Sequence, residues 1–490
     1  MKSRSIFSMA SLLFQSSYSA VLGFVAFFIL TLNSGAALLG IYSTVLASMS
    51  FFNYITNLGL AAALIQKKET EETDLSTAFF IQFILVTIAV GIGFYFGDRL
   101  LAGYKDLPAN TIYLYWALLI SLFLLSLKTI PSVLLEKNVE IYKNVLVSSV
   151  ENTLFYLTII VAVIAGYEME ALIAAVLIRA AVGVGLLYFM KPWKPGLSFS
   201  FASAKELLAY GLPFQGNSFL ALIKDDLLII YLGQVIGLGN LGIVSFGKKY
   251  AEMAVRLVTD NVNRVAFPVF ARVQDNKELL GKSLSNVLFY GSVIVFPIII
   301  GGMFTFDSFL RIVEGYYDKW SPALFSFYFF SLSTLFVSLT TPFINLFNAV
   351  KKVRTSLLFM VLWTVMMWVL IPPAVNLYGF NAVSVVFFIQ SLTFFLVVWQ
   401  AKTVVDFDMT KAIKGVLLGS ILTAAYLGII RWISLAIFTS EEVHLVFSLL
   451  GAPMVYGGTV IAIHGVDAFK DVLRTLRPGA AAASPPADQP

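Results

Sequence analysis

The chain has 490 residues, 59% of them hydrophobic and 12% charged, with a mean hydropathy of +0.87 and a formal net charge of +5. That is too little charge to cover the surface of a water-soluble protein, so composition excludes a soluble fold and requires an integral membrane protein. With no cysteine, disulfides and thiolate metal sites are excluded, and His444 and His464 alone make a metal site or other resident cofactor unexpected.

Apolar stretches of about 20 residues, enough for a helix to cross roughly 30 Å of hydrocarbon, recur as far as Gly465. Fourteen spans are predicted: 9–31, 38–64, 76–97, 111–133, 145–165, 171–190, 207–231, 240–262, 284–304, 321–349, 356–376, 380–401, 415–437 and 445–465. The first follows Lys2 and Arg4 but is long and holds Gln15-Ser16-Ser17, so it reads as a retained span rather than a cleaved leader. Neither the tenfold alternation nor the turn-rich gaps of a barrel occur. With the N-terminus inside, cytoplasmic segments hold 22 of the 33 Lys and Arg, while the external loops hold only Arg99, Lys105, Arg311 and Lys319. This bias places both termini in the cytoplasm, in a multi-pass protein of the cell (inner) membrane. The basic charge is thus topology rather than a nucleic-acid surface. Tyr316, Tyr317 and Trp320 fit an interfacial aromatic belt, and His444 falls in an external loop.

The first twelve spans say nearly the same thing twice. Phe14-Gln15 returns as Phe214-Gln215, Leu39-Gly40-Ile41 as Leu241-Gly242-Ile243, and Leu75-Ser76 as Leu284-Ser285, each Ser followed after 22 residues by Asp98 or Asp307. Pro131 matches Pro342, and Tyr167, Ala171 and Ile178 match Tyr378, Ala382 and Ile389. An even number of spans per copy makes the copies parallel, as in transporters built from duplicated bundles. The expected organisation is a six-helix lobe at 1–190, a cytoplasmic linker at 191–205 and a second lobe at 206–401. Spans thirteen and fourteen follow at 402–465, then a tail at 466–490 that is disordered from about 478.

Lys224-Asp225-Asp226, Leu241-Gly242-Ile243, Asn263-Arg264-Val265-Ala266-Phe267-Pro268 and Gln274-Asp275 resemble the oligosaccharide flippases of the polysaccharide transporter family. Leu58-Gly59-Leu60, Ala63-Leu64-Ile65-Gln66 and Asp74-Leu75-Ser76-Thr77-Ala78-Phe79 are similar to it as well. The group belongs to the multidrug/oligosaccharidyl-lipid/polysaccharide exporter superfamily. The resemblance covers roughly residues 5–400. It implies an all-α membrane protein with a V-shaped central cavity between two lobes, alternating access, and transfer of an undecaprenyl-diphosphate-linked oligosaccharide. Membrane lipid, glycosyltransferases and a polysaccharide polymerase are the partners that go with that role.

Spans seven and eight hold Lys224, Asp225, Asp226, Lys248, Lys249, Glu252, Arg256 and Asp260, whereas the first copy has mostly uncharged residues at the matching positions. Positions 249, 252, 256 and 260 form one helical stripe with Lys248 on its shoulder. Facing lipid, each charge would cost about 2.5–3.5 kcal/mol at a helix centre. Two readings follow: the stripe neutralises itself as an ion-pair ladder, or it lines a cavity where Lys248, Lys249 and Arg256 meet a diphosphate. Arg179 and Lys224 are further candidate substrate cations. Gln15 is a candidate for sugar hydroxyls, and its neighbours through Ser19 serve either that role or helix contact. Asp225, Asp226 and Glu252 are candidates for ion coupling. Lys128 and Glu151 read as snorkelling or structural charges.

The same architecture admits a peptidoglycan-precursor flippase or an ion-coupled multidrug antiporter, although a cationic cavity favours an anionic substrate. A membrane glycosyltransferase or polymerase would need catalytic groups in sizeable external loops, and none of these loops is large. No enzymatic activity is therefore expected. Gly237 to Gly242 satisfies GxGxxG, and Gly242 to Lys249 comes close to a phosphate-binding loop, but neither follows a strand in a βαβ unit, so no nucleotide is expected.

Overall fold

A long apolar run in lipid satisfies its own backbone by forming a helix, and the computed structural model consists of helices joined by short turns. The structure describes residues 2–67, 69–104, 107–138, 140–196, 198–438 and 440–475. The helices are α1 (Lys2–Asn33), α2 (Ala36–Asn57), α3 (Leu60–Gln66), α4 (Glu72–Leu101), α5 (Thr111–Ser126), α6 (Thr129–Lys137), α7 (Ile141–Ile164), α8 (Met169–Met190) and α9 (Phe201–Val235). They continue with α10 (Leu238–Arg272), α11 (Lys277–Ile312), α12 (Tyr316–Trp320), α13 (Leu324–Ala349), α14 (Val353–Tyr378), α15 (Ala382–Ser391), α16 (Phe394–Lys402), α17 (Met409–Ile433) and α18 (Glu441–Thr475). Among the described residues ten helical segments are long and apolar enough to cross a membrane, and α1 and α2 hold the shorter apolar stretches Tyr18–Asn33 and Ala36–Phe51. Helices α9 and α10, 35 residues each, cover the charged stretches predicted as spans seven and eight.

Three predicted spans are broken. Span two turns at Leu58 and Gly59, with φ of 43° and 70°, where glycine's freedom at positive φ ends α2 and starts α3. Spans four and twelve break at Lys128 and at Leu392.

The chain folds as two compact units, residues 1–242 and 243–490. In the first, α7 packs on α1 and α8, α5 packs on α4 and α8, and α9 lies along α2, α3 and α4. Its main core is built from Leu114, Leu118, Leu119, Phe155, Leu172 and their neighbours. Helix α9 meets the α2–α3 break so closely that a Cβ on Gly59 would stand 2.5 Å from the Gly211 carbonyl oxygen. The linker is docked as well: the Gly196 and Ser200 amides donate to Ser76 Oγ (3.1 Å) and Thr77 Oγ1 (3.0 Å) on α4. The first helix of the expected second lobe therefore packs among α2, α3 and α4.

In the second unit α11 is central, packed by α13, α17 and α18, while α13 also carries α15 and α16. Spans thirteen and fourteen thus attach through span nine. Two readings are corrected here. Tyr316 and Trp320 are buried rather than interfacial, because the short α12 turns their rings inward, and Trp320 stacks on Phe246 at 4.0 Å. His444 lies in the first turn of α18 and is fully buried. Helix α18 kinks at Gly465 and runs on to Thr475, and the tail expected to be disordered from 478 lies outside the described residues.

Candidate substrate-binding site

Helix α10 gathers the largest group of candidates. Glu252 stands between two cations one turn away on either side, 3.9 Å from Lys248 and 4.0 Å from Arg256. Both distances are long for ion pairs, and the Arg256 side chain is 73% exposed, so the carboxylate holds neither cation tightly. Lys248 also lies 4.5 Å from the centre of the Phe387 ring, a cation–π contact. Lys249 is exposed on the same stretch. Lys248, Lys249 and Arg256 together outnumber Glu252, which leaves a positive balance on this part of the helix. The side chain of Asp260, the fourth member of the stripe, lies outside the described residues.

On α9, Lys224 and Asp225 are paired at 2.5 Å, and Asp226 is half-buried beside them. Arg179 on α8 has its guanidinium 5.4 Å from the Phe155 ring, its Nε buried without a hydrogen-bond partner, and Tyr42 and Tyr156 as electrostatic neighbours. Gln15 is half-buried on α1. Two of the polar residues after it serve helix contact, since Tyr18 hydrogen-bonds Thr153 (3.2 Å) and Ser19 accepts from Asn152 (3.1 Å) on α7. Lys128 and Glu151 form a buried ion pair. Room for it comes from α8, where a Cβ on Gly183 would lie 1.8 Å from Glu151 Oε1.

Three features escaped the sequence reading. Arg431 on α17 bonds Asp307 (2.7 Å) and Ser308 (2.6 Å) on α11 and pairs with Glu441 on α18, while Ser308 also bonds His444 Nδ1 (2.6 Å). The signal was present, a cation inside span thirteen followed by Glu441-Glu442 across a short turn. A second cluster joins Lys67 to Asp74 (3.0 Å) and Glu206 (2.9 Å), with Ser203 donating to Asp74 (2.6 Å). Glu206 first, then Asp74, holds the Lys67 ammonium above its ordinary value. Its contribution to stability is therefore complete below the free lysine value and is lost only as pH rises through the higher folded one, so the clasp's lysine stays charged throughout the neutral range. Third, a cavity of 960 Å³ opens between α11, α17 and α18, lined by residues such as Lys277, Tyr290, Asp406 and His464. None of the candidate binding residues lines it, and the α10 group has the better claim because it brings several cations together within a predicted span.

A profile described as "Polysaccharide biosynthesis protein" matches residues 36–324, more than half of the chain. The chain belongs to that family. It shares 24% identity over 287 residues with the teichuronic acid biosynthesis protein TuaB of Bacillus subtilis (strain 168), covering 56% of each chain. With the lipopolysaccharide biosynthesis protein WzxC of Escherichia coli (strain K12) it shares 25% over 333 residues, covering 66% of each. The matches thus span between about half and two thirds of these relatives. Its fold is similar to that of the lipid II flippase MurJ in an inward closed conformation, at a TM-score of 0.70 and 14% identity, covering 94% of this chain and 99% of the other. It is also similar to an inward-facing multidrug resistance MATE family transporter of the MOP superfamily, at a TM-score of 0.56 and 15% identity, covering 79% and 95%. Family membership and the all-helical transporter fold agree with the resemblance read from the sequence motifs.

Proposed function

We propose that this member of the family translocates an undecaprenyl-diphosphate-linked oligosaccharide, such as an O-antigen, capsule or exopolysaccharide repeat unit, from the cytoplasmic to the external leaflet by alternating access. The observation that carries the reading is the gathering of Lys248, Lys249 and Arg256 on one stretch of α10, where Glu252 stands 3.9 Å from Lys248 and 4.0 Å from Arg256. At 1.5 Å per residue, Lys248 lies about 15 Å and Arg256 about 27 Å along the helix from Leu238, inside the depth of a roughly 30 Å hydrocarbon layer. Cations at that depth need water, protein or an anion. A diphosphate supplies the anion, and a cation about 4 Å from a phosphate oxygen gains about 4 kcal/mol at an effective dielectric near 20.

Lys248, Lys249 and Arg256 are the proposed diphosphate ligands, with Arg179 and Lys224 as further cations, Gln15 toward the sugar, and Asp225, Asp226 and Glu252 as coupling groups. The lobes are 1–190 and 206–401, with 402–465 outside the duplication and both termini in the cytoplasm of a cell with an inner membrane. Glycosyltransferases supply the substrate and a polymerase receives it. The protein itself is a transporter without enzymatic activity. A second reading, a peptidoglycan-precursor flippase, is favoured by the fold likeness to the lipid II flippase. Depletion separates the two by which lipid-linked intermediate accumulates in the cytoplasmic leaflet.

The direct test substitutes the cations. Lys249→Ala or Arg256→Ala should lower transport by about 10- to 100-fold at unchanged membrane abundance, the factor for losing a charge-assisted bond of about 1.5–3 kcal/mol. Lys143→Ala, which removes an ion pair with Glu140 three residues earlier on the chain, is the control and should be nearly silent. Because Glu252 lies between Lys248 and Arg256, Arg256→Ala combined with Glu252→Gln repairs the charge balance without restoring a ligand. Recovery of transport in that double variant would sink the ligand reading and leave an ion-pair ladder.

A further inference from the structure

Helices α17 and α18 bury a row of polar atoms that nothing among the described residues satisfies. His444, Ser448, Tyr456 and His464 recur at multiples of four along α18, and His444 Nε2, Ser448 Oγ, the Tyr456 hydroxyl and His464 Nε2 are each buried without a hydrogen-bond partner. Helix α17 adds Ser420 Oγ and Thr423 Oγ1 in the same condition. All of these residues but His464 are more than nine-tenths buried, and His444 and Thr423 have no exposed surface at all. The two helices run antiparallel, with Gly415 against His464, Gly419 against Tyr456 and Gly451 against Tyr426. Ser420 therefore stands near the level of Tyr456, and Thr423 between it and Ser448. At 1.5 Å per residue, His444 and His464 lie about 30 Å apart along α18, roughly the thickness of the hydrocarbon layer. Polar atoms left unsatisfied at that depth are costly, and buried groups of this kind are where ordered water sits.

Both ends of the row meet groups that exchange protons. At the outer end, in the orientation proposed above, Ser308 on α11 accepts from Arg431 and bonds both His444 Nδ1 (2.6 Å) and Glu441. Its hydroxyl has one hydrogen for two acceptors, so it takes a proton from Glu441 as it gives its own to Nδ1. The imidazolium then releases its Nε2 proton to the row, where each water and hydroxyl accepts one hydrogen and gives one. Asp307 and Arg431 are the other charges facing this histidine, and they bond each other. At the inner end His464 lines the 960 Å³ cavity with Lys277, Tyr290 and Asp406, while its Nε2 turns onto Gly415, where a Cβ would stand 2.4 Å away. Between Tyr456 and His464 the row is interrupted, for Val460 occupies the intervening turn and is buried with Val416 in one apolar core. We propose that α11, α17 and α18 enclose a proton pathway through the membrane, with an outer arm from Glu441 and His444 to Tyr456, an inner arm from His464 to the cytoplasmic cavity, and a plug of Val416 and Val460 between them. An unbroken file of water would drain the proton gradient, and an apolar constriction stops it. The pathway uses none of the candidate substrate cations. It rests on the transporter reading and the orientation given above, and not on the identity of the glycan.

The test needs no substrate. Full-length protein is placed in liposomes with a trapped pH-sensitive dye, a pH gradient is imposed, and a potassium ionophore balances charge. Wild type should hold the gradient as protein-free liposomes do. Val460→Ser, which puts a hydroxyl into the plug, should collapse it about tenfold faster or more, and adding Thr423→Val with Ser448→Ala should return the rate to that of wild type. No acceleration in Val460→Ser, or one that survives Thr423→Val with Ser448→Ala and so reports general loosening, would overturn the pathway. A wild type that leaks as fast as Val460→Ser would overturn the plug. If Val460→Ser does not accumulate, the melting temperatures of Thr423→Val and Ser448→Ala in the otherwise native chain decide. Dry, unpartnered hydroxyls would make both variants more stable than wild type and overturn the hydrated row, whereas unchanged or lower stability supports it. A leak as stated, in a protein whose depletion accumulates no lipid-linked glycan, retains the pathway while rejecting the flippase, and a failed pathway leaves the flippase reading as it stands.

Discussion

Charged residues within this chain fall into two kinds, and burial separates them. Glu151 is enclosed by α8 and paired with Lys128, whereas Arg256 is largely exposed and only loosely opposed by Glu252. Removing one partner of a buried pair strands the other, at a cost of about 3–5 kcal/mol. Lys128→Met should therefore lower thermal stability in detergent and membrane abundance sharply, and Lys128→Met with Glu151→Met should recover most of both. Arg256→Ala should leave stability nearly unchanged, since an exposed pair contributes about 0–1 kcal/mol. If the double variant is no more stable than the single one, the pair is not the structural element its burial implies. Charge alone could not sort these residues in the sequence, because Lys128, Arg179 and Arg256 all read as cations within or beside spans. Only the enclosing glycine, Gly183, distinguishes the first, and one glycine among 33 carries no mark of what it faces.

Helices were legible in position and less so in continuity. Apolar windows with polar flanks announce a span, so each of the fourteen has its helical counterpart, but the breaks at Leu58, Lys128 and Leu392 depend on backbone conformations that hydropathy does not record. Aromatic residues at a span edge look alike whether they face lipid headgroups or fold inward, which is why Trp320 was misread. The anchoring of α17 and α18 was only half legible, since Arg431 and Glu441 lie close in sequence but their partners Asp307 and Ser308 on α11 are more than 120 residues away. Arg431 links three helices, and its partners Asp307 and Glu441 are each about one-fifth exposed. Arg431→Leu should cost about 3 kcal/mol, read as a lower melting temperature and faster proteolysis of the segment between α16 and α17. Arg431→Lys should recover part of this by keeping the charge without the fork of donors. Equal resistance to proteolysis in the wild type and Arg431→Leu would mean that apolar packing on α11 holds these helices unaided.

For the molecule as a membrane object, the decisive quantity is parity. In the proposed assignment, six spans per copy would make the copies parallel, two more would return the chain to its starting side, and the excess of Lys and Arg would assign that side to the cytoplasm. A miscount of one span would invert every segment after it, so orientation tests the entire assignment. Single cysteines provide the measurement because the chain has none of its own. Asn276→Cys sits in the turn before α11 and Asp318→Cys on α12, both exposed, while Thr355→Cys lies half-buried in the first turn of α14. Asn276 caps α11 by accepting from the Leu279 amide at 3.0 Å, so its replacement costs about 1 kcal/mol, small enough to leave the fold intact. An impermeant thiol reagent should label Asp318→Cys in intact cells and should reach Asn276→Cys and Thr355→Cys only after the membrane is opened. Asp318 and Thr355 are separated by one span, so labelling both from the same side would remove span ten from the count. The copies would then no longer be parallel, and the equivalence of Gly40 and Gly242 would lose its basis.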